Sequence, residues 1–200
     1  GWCGLTAPNA YGGQGLPETL QYLVDEMVSS ANLSFGLYPG LTQGTILCLL
    51  EHGTDDQKNT FLPKLISGEW QGTMCLTEAH AGSDLGLLKA KAKPNGDGSY
   101  SISGTKIFIS AGDHDMVENV VHLVLARLPD APKGSRGISM FLVPKYIVSD
   151  QGHLKEGNTL SVGSLESKMG MKASATCVMN FDGATGWIVG EEHKGLAGMF

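Results

Sequence analysis

The first third of the chain carries apolar side chains at helical spacing. Between Pro17 and Ala31 they recur every three or four positions, at Leu20, Leu23, Val24, Met27, Val28 and Ala31. This spacing predicts a helix with one buried face, and Pro17 suits its first turn. A second apolar stretch, Leu41–His52, is followed by Gly53, a residue type that readily takes the left-handed conformation at a helix end.

A third helix is predicted directly after these two. Thr54 is followed three positions later by Gln57, which is the spacing of a capping box at a helix N-terminus. Pro63 predicts the start of a further short turn before Gly68. The region up to residue 72 is therefore predicted to be helical throughout.

After residue 72 the hydrophobic period changes to two. Leu88, Ala90 and Ala92 alternate with Lys89, Lys91 and Lys93, which is typical of a strand with one wet face. Asn95–Gly98 predicts a turn, after which Tyr100–Ser103 resumes the alternation. Further strands are predicted at Val120–Arg127, Gly137–Val143 and Ala175–Phe181, and the second of these is apolar enough to be buried on both faces.

These elements predict an α+β fold. An all-α N-terminal portion, residues 1–72, precedes a middle domain, residues 73–183, built as an antiparallel β-barrel or sandwich. Residues 184–200 read as the start of a C-terminal helical bundle that is truncated as it begins. The chain opens on Gly1 rather than on methionine, which suggests that the N-terminus is missing and that targeting signals are unobservable.

Composition excludes several classes of protein. Hydrophobic residues make up 42% and charged residues 17%, a balance typical of a globular domain. The net charge is -6 and the 14 Lys and Arg are scattered, so we expect no nucleic-acid partner. No run approaches the roughly 20 uninterrupted apolar residues of a membrane span, and we expect no membrane and a cytoplasmic, bacterial-type location.

Metal binding is not expected either. The four cysteines lie far apart with no C-x-x-C pair, which favours reduced, mostly buried thiols. Asp113, His114 and Asp115 superficially resemble a metal cluster, but adjacent residues rarely share one coordination sphere. We therefore predict no metal ligands.

The segment Met74–Asp84 carries the strongest chemical signal. It leaves a predicted strand and enters a loop in which Gly82 lets the backbone approach a ligand closely. Thr77 and Ser83 supply hydroxyl groups, and consecutive loop amides can form an anion-binding nest. From the residues alone, an ordinary strand-to-loop turn is favoured over a site for a phosphate-bearing cofactor.

Several ordered motifs change that balance. Cys75-Leu-Thr-Glu-x-x-Ala-Gly-Ser-Asp84 closely resembles the signature of the acyl-CoA dehydrogenase family. Gly104–Gly112 resembles the second flavin-binding strand of that family, with Phe108 where Trp is frequent and Ser110 where Thr is frequent. Later segments also match, at Leu125–Arg127, Gly137–Pro144, Lys168–Lys172 and Phe181–Gly183. The resemblance covers nearly the whole chain.

The resemblance implies FAD as the cofactor and places the first loop beside it. Met74, Leu76 and Thr77 would border the isoalloxazine, with backbone groups and the Thr77 hydroxyl at its polar pyrimidine edge. Gly82 and Ser83 would lie at the FAD pyrophosphate. Ser83 would also lie close to the acyl-CoA substrate.

The resemblance places the second strand beside the same ring. Phe108 would pack next to the flavin with Ile109 following it, and Ser110 would hydrogen-bond near N5. Ser135 would contact the CoA portion of the substrate. Donors at the atoms that gain electron density, and a wall that excludes water, are what a bound flavin requires.

Simpler interpretations remain open for three of these positions. Periodicity alone favours Phe108 as an ordinary core residue, and Ser135 could equally be a turn residue without a ligand. Glu78 invites assignment as a catalytic base, but within the family pattern it is interpreted as structural.

The activity that the resemblance implies is FAD-dependent α,β-dehydrogenation of an acyl-CoA thioester to the 2-enoyl-CoA. Ser30–Ser34, Tyr38–Gln43 and Ser110–Asp115 resemble a bacterial branch that includes 3-methylmercaptopropionyl-CoA dehydrogenases, so 3-methylthiopropanoyl-CoA is the favoured substrate. The carboxylate base belongs to the C-terminal domain of the family. We therefore predict no catalytic residue here and an inactive fragment that binds FAD weakly. Electron-transferring flavoprotein is the expected electron acceptor, and a homo-oligomer, dimer or tetramer, is expected.

Three other functions compete with this one. An acyl-CoA oxidase shares the scaffold but lets oxygen reoxidise the flavin. A non-catalytic, acyl-CoA dehydrogenase-like flavin-binding protein is a second alternative. The third is a helical-plus-β binding module without any flavin.

Overall fold

The computed structural model describes residues 2–149 and 151–200. Two long helices, α1 (Glu18–His52) and α2 (Asp55–Ser67), follow two short 3-10 helices at Trp2–Gly4 and Asn9–Tyr11. The strands are β1 (Trp70–Cys75), β2 (Lys91–Pro94), β3 (Tyr100–Ser110), β4 (Asn119–Ala126), β5 (Ser139–Pro144), β6 (Tyr146–Val148), β7 (Leu154–Gly157), β8 (Leu160–Leu165) and β9 (Thr176–Ile188). Further 3-10 helices lie at Leu85–Leu87 and Ser135–Gly137, and a short helix α3 (Gly195–Met199) ends the fold.

Seven strands form one sheet in the order β1-β4-β5-β9-β3-β2, with β8 also paired to β9. Among the strand pairs of the described chain, β1 with β4 is parallel and the others are antiparallel, and one isolated parallel bridge joins Lys91 to Arg127. The strands β6 and β7 form a separate small sheet. The predicted α+β class, helical first and mostly antiparallel afterwards, is confirmed in a sandwich-like form.

Two hydrophobic cores lie on opposite faces of β4. Val121, Leu123 and Leu125 belong to the core shared with the helices, whereas Val124 and Ala126 belong to the core enclosed by β3, β5 and β9. Every residue of β5 is buried, which confirms the prediction of a strand covered on both faces. The sheet is therefore the central layer, with helices on one side and its own folded-over strands on the other.

The two predicted N-terminal helical stretches are halves of α1. The helix is interrupted at Asn32, whose φ of -160° and ψ of 90° are not helical. Its side-chain oxygen accepts a hydrogen bond of 3.1 Å from the backbone N–H of Phe35, as an N-cap does. Asn32 therefore starts the second half of α1, and the helix continues through Pro39 to His52.

The capping box is confirmed, but two details of the helical prediction are wrong. Thr54 and Gln57 exchange both hydrogen bonds of the box. Gly53 is extended, with φ of -70°, and the left-handed cap is Gly68 at the end of α2, with φ of 83°. Pro63 does not start a new turn but lies inside α2, because burial of neighbouring side chains such as Leu62 outweighs the cost of about 3 kcal/mol of an interior proline.

By length and composition alone, α1 could cross a membrane. Core helices meet the same two criteria, and α1 packs here against β1 and α2, with Leu49 fully buried. The expected absence of a membrane partner stays a prediction.

The alternation after residue 72 is confirmed as a burial pattern. Leu88, Ala90 and Ala92 are buried, while the three intervening lysines are exposed. Regular pairing with β3 begins only at Lys91, so strand β2 is shorter than the alternating segment. The sheet itself begins at Trp70 and β9 continues to Ile188, and the domain limits at 72/73 and 183/184 stay predictions.

Candidate functional site

A buried ion pair anchors the loop that follows β1. Lys106 of β3 is fully buried and its Nζ lies 2.9 Å from Oε1 of Glu78, which is 5% exposed. Glu78 also accepts hydrogen bonds from the backbone N–H groups of Lys89 (2.7 Å) and Ala90 (2.9 Å). With both oxygens occupied, Glu78 has the structural role that the sequence favoured and is not placed to act as a base.

Opposing effects set the pKa values of this pair. Burial by itself raises the pKa of Glu78, but the charge of Lys106 and the N–H donors outweigh it, so the pKa lies below the ordinary value. Burial lowers the pKa of Lys106, against the attraction of Glu78. Because the two groups lie 2.9 Å apart, each favours the charged form of the other.

The same lysine fixes the backbone of the signature. Lys106 Nζ donates a 3.0 Å hydrogen bond to the carbonyl of Leu76, and the N–H of Ile107 donates one of 2.9 Å to the carbonyl of Thr77. Met74, Leu76 and Thr77 are all half-buried. These bonds hold the segment against β3, and its contact with a flavin stays a prediction.

A bulge brings Phe108 to the surface. The pairing of β3 with β9 shifts register between Lys106 and Ile109, and Phe108 takes a φ of 60°. Its side chain is 59% exposed, so the interpretation as a core residue is wrong. Left-handed backbone costs a bulky residue about 1–2 kcal/mol, and such strain concentrates at functional sites. The side chain of Ile109 lies in the core, and only its backbone can face a ligand.

The end of β3 is held by helix α1. The N–H of Ala111 donates a 2.6 Å hydrogen bond to the carbonyl of Ala175. The Tyr38 hydroxyl accepts one of 2.9 Å from the N–H of Ala175 and donates one of 3.3 Å to the carbonyl of Ala173. Ser110, which is half-buried, is thereby fixed between the helix and β9.

Gly82, Ser83 and Ser135 lie on two exposed loops. An added Cβ at Gly82 would meet only Thr77 Cγ2, at an ordinary distance of 3.7 Å, and its φ is not left-handed. Contacts within the described chain therefore do not require glycine there. Both serine side chains are free to face solvent or a ligand.

Arg127 joins these two loops and was missed by the sequence prediction. It follows β4 directly, and its guanidinium donates hydrogen bonds to backbone carbonyls of both loops. Nothing in the local sequence marks this arginine, because its partners are backbone carbonyl groups, which every residue has. Only the folded geometry brings those carbonyls together.

Two family models match the chain. One describes the acyl-CoA dehydrogenase N-terminal domain and matches residues 1–69, and the other describes the acyl-CoA dehydrogenase middle domain and matches residues 73–184. The chain belongs to the acyl-CoA dehydrogenase family. Both flavin-associated motifs fall within the middle-domain match, which confirms the resemblance stated from Cys75–Asp84 and Gly104–Gly112.

Individual relatives within the acyl-CoA dehydrogenase family agree. A 3-methylmercaptopropionyl-CoA dehydrogenase of Ruegeria pomeroyi is 54% identical over the whole chain, which spans 34% of that protein. Butyryl-CoA dehydrogenase from Megasphaera elsdenii superposes with a TM-score of 0.83 at 27% identity, over 99% of this chain and 50% of that one. An acyl-CoA dehydrogenase complexed with FAD, from Bacillus anthracis, superposes with a TM-score of 0.81 at 29% identity, over 99% and 31%.

A second polar cluster in this acyl-CoA dehydrogenase chain lies after Ser110. Asp113 pairs with Lys145 at 2.6 Å, whereas His114 Nε2 lies 2.7 Å from Gln71 Oε1. Asp113, His114, Asp115 and Lys145 line an open groove of about 630 Å³. Asp113 and His114 thus have separate partners, and no trio of His, Cys, Asp or Glu in residues 2–149 and 151–200 is arranged to hold a metal ion.

Proposed function

We propose that the longer protein to which this chain contributes catalyses FAD-dependent α,β-dehydrogenation of an acyl-CoA thioester to the 2-enoyl-CoA. The observation that carries the proposal is the strained, exposed Phe108, which directly follows Ile107, the residue whose N–H bonds the carbonyl of Thr77. Membership of the acyl-CoA dehydrogenase family supports the reaction class. The Bacillus anthracis relative complexed with FAD supports the cofactor.

The residues of the site fit a flavin. Phe108 offers an exposed aromatic ring, and Thr77 and Ser110 offer hydroxyl groups within a partly apolar wall that includes Met74. The carboxylate of Glu78 is neutralised by Lys106, so it does not repel a ring that gains negative charge. When bound, FAD supplies a hydride acceptor.

The chain's own residues bind and orient. The Thr77 hydroxyl would hydrogen-bond at the polar pyrimidine edge of the isoalloxazine and the Ser110 hydroxyl near N5, and the Phe108 ring would exclude water beside the flavin. Ser83 would contact the FAD pyrophosphate and lie close to the acyl-CoA, and Ser135 would contact the CoA portion of the substrate. The base that removes the α-proton lies outside these 200 residues, and the isolated chain is inactive.

Spectroscopy and turnover of the longer protein test the proposal. We expect a yellow protein that reduces an artificial electron acceptor, or electron-transferring flavoprotein, with an acyl-CoA. Phe108→Ala should lower the flavin bound per chain, whereas Leu154→Ala, another exposed apolar side chain on β7, should not. A colourless, inactive wild-type protein would contradict the proposal. Formation of hydrogen peroxide instead of acceptor reduction would identify an acyl-CoA oxidase.

The favoured substrate is 3-methylthiopropanoyl-CoA. The Ruegeria pomeroyi relative, named for that thioester, supports it through 54% identity over the whole chain. We expect kcat/KM for 3-methylthiopropanoyl-CoA to exceed that for butyryl-CoA. The reverse order would assign a straight-chain substrate.

Assembly and location are proposed with the activity. The longer protein is a cytoplasmic homo-oligomer, a dimer or a tetramer, because the family resemblance implies one. Sedimentation of the purified protein together with fractionation of its host cells tests both statements. A monomer, or recovery in the membrane fraction, would contradict them.

A further inference from the structure

Arg127 donates four guanidinium hydrogen bonds to backbone carbonyls from two separate loops. Nε donates to Leu88 at 2.9 Å and Nη2 donates to Gly86 at 2.6 Å, both in the loop that follows the signature. Nη2 also donates to Gly134 at 2.9 Å, and Nη1 donates to Pro132 at 3.0 Å. Four hydrogen bonds therefore converge on one side chain.

The two loops touch where these bonds are made. An added Cβ at Gly86 would lie 3.4 Å from the backbone nitrogen of Ser135 and 3.5 Å from Cα of Gly134. An added Cβ at Gly137 would lie 1.8 Å from the carbonyl oxygen of Pro132 and 2.8 Å from Nη1 of Arg127. At Gly86 the two loops are therefore in ordinary van der Waals contact, whereas Gly137 has no room for a side chain beside Pro132 and Arg127.

The charge of Arg127 is not directed at an acidic side chain. Among the described residues its guanidinium makes no salt bridge, and each of its hydrogen bonds ends on a carbonyl. A planar guanidinium holds its acceptors in a fixed fork, which an ammonium group on a flexible stem does not do. The side chain therefore fixes the geometry of the two loops.

Those loops carry the two serines assigned to the substrate. Ser83 precedes the 3-10 helix Leu85–Leu87, whose N-cap is Asp84, and Ser135 begins the 3-10 helix Ser135–Gly137. The two short helices contact each other beside Arg127. Arg127 therefore bonds to both of the segments that carry these serines.

We infer that Arg127 is a positioning residue for acyl-CoA binding, holding the Ser83 loop and the Ser135 loop at the separation that lets one thioester contact both. This inference rests on the proposed function. It predicts that loss of the guanidinium fork weakens substrate binding and leaves the chemical step intact.

Steady-state kinetics of the longer protein with bound flavin test the inference. In Arg127→Lys we expect KM for the acyl-CoA to rise about tenfold, because several hydrogen bonds to a charged donor are lost, with kcat within about twofold of wild type. Lys155→Met, an exposed cation on β7, is the control and should change neither constant. A purely structural role would lower the melting temperature and the active fraction at an unchanged KM, and that result would overturn the inference.

A second variant displaces the loop while keeping the arginine itself unchanged. Gly137→Ala places a methyl group against Pro132 and Arg127, and we expect it to raise KM in the same way even if the Arg127 variant does not fold. A wild-type KM in Gly137→Ala would overturn the inference. If the wild-type protein bound no flavin and oxidised no acyl-CoA, the proposed function itself would fail. A variant that is active with the wild-type KM would instead overturn only the role of Arg127.

Discussion

Lys106 and Phe108 lie two positions apart on β3, yet their environments are opposite. Strict alternation would place both side chains on the same face of the sheet. Lys106 is fully buried and paired with Glu78, whereas Phe108 is 59% exposed. The register shift between Lys106 and Ile109 separates them.

The contrast shows how one strand serves both the fold and the site. Before the bulge, β3 places a charge in the interior, where its partners make it stabilising. After the bulge, the same strand accepts strained backbone at Phe108 in order to present a ring to the outside. Substitutions in the first part should therefore act on stability, and substitutions in the second part on ligand binding.

Lys106→Met should have the largest effect on stability. It leaves the buried carboxylate of Glu78 without a counter-charge, and breaking a buried pair in this way costs about 3–5 kcal/mol. The free energy of unfolding, measured by urea denaturation, should fall accordingly. Lys91→Met, an exposed lysine on β2, should change it by less than about 0.5 kcal/mol.

The double variant Glu78→Gln with Lys106→Met sharpens this prediction. Removing both charges should be less destabilising than removing Lys106 alone, because no unpaired charge is left in the interior. An additive double variant would show that the two side chains do not act as a pair.

Lowering the pH should have the next largest effect on stability, through the buried His122. Burial lowers the pKa of His122 from its ordinary 6.5 to about 4, and in the described chain its Nε2 has no hydrogen-bond partner. Between these pH values the unfolded chain takes up a proton that the folded chain does not, so the free energy of unfolding falls as pH falls, by up to about 3 kcal/mol.

Other groups titrate in the same direction and need a control. The pKa of His114 is also lowered by burial, and that of Glu78 is lowered by its partners despite burial. His122→Gln should therefore flatten only part of the pH dependence of urea denaturation between pH 6.5 and 4. An unchanged slope in this variant would refute the assignment to His122.

Replacing Phe108, the strained residue of β3, by glycine or by alanine should change stability in an unusual order. Phe108→Gly and Phe108→Ala both remove the ring, but only glycine adopts a φ of 60° without steric cost. We expect the free energy of unfolding to be about 1 kcal/mol higher for the glycine variant than for the alanine variant. This is the reverse of their order in a regular strand. Thermal unfolding of the two apoproteins compares them directly, and equal stabilities would mean that the bulge relaxes.

The smallest effect should come from the second ion pair of the domain. Asp113 and Lys145 are each about a quarter exposed, unlike Glu78 and Lys106. A pair accessible to water contributes about 0–1 kcal/mol, so Asp113→Asn should reduce the free energy of unfolding by no more than that. If Asp113→Asn lowered the free energy of unfolding as much as Lys106→Met does, burial would not explain the difference between the two ion pairs.

The sequence pattern was sufficient to predict features that depend only on residues close together in the chain. The capping box needs only Thr54 and Gln57, and the alternation around Ala90 reports directly which side chains are buried. It failed at Pro63, since the packing that keeps α2 intact comes from residues distant in the chain.

The candidate site was predictable in its motifs and not in its geometry. The exposure of Phe108 depends on how β3 pairs with β9, and no local pattern encodes that register. The role of Arg127 depends on its hydrogen bonds to backbone carbonyls, which all residues have. The family motifs named Thr77 and Ser110, whereas the groups that hold them in place became visible only in the fold.

The pairing of β1 with β4 has a kinetic consequence. Trp70 pairs with Asn119, and Tyr100 of β3 pairs with Gly186 of β9, so the segments around the site are joined by partners far along the chain. Contacts of long sequence separation form slowly, because a large loop must close before they are gained. During synthesis the signature therefore leaves the ribosome long before its surroundings exist, and the site matures only when β9 docks.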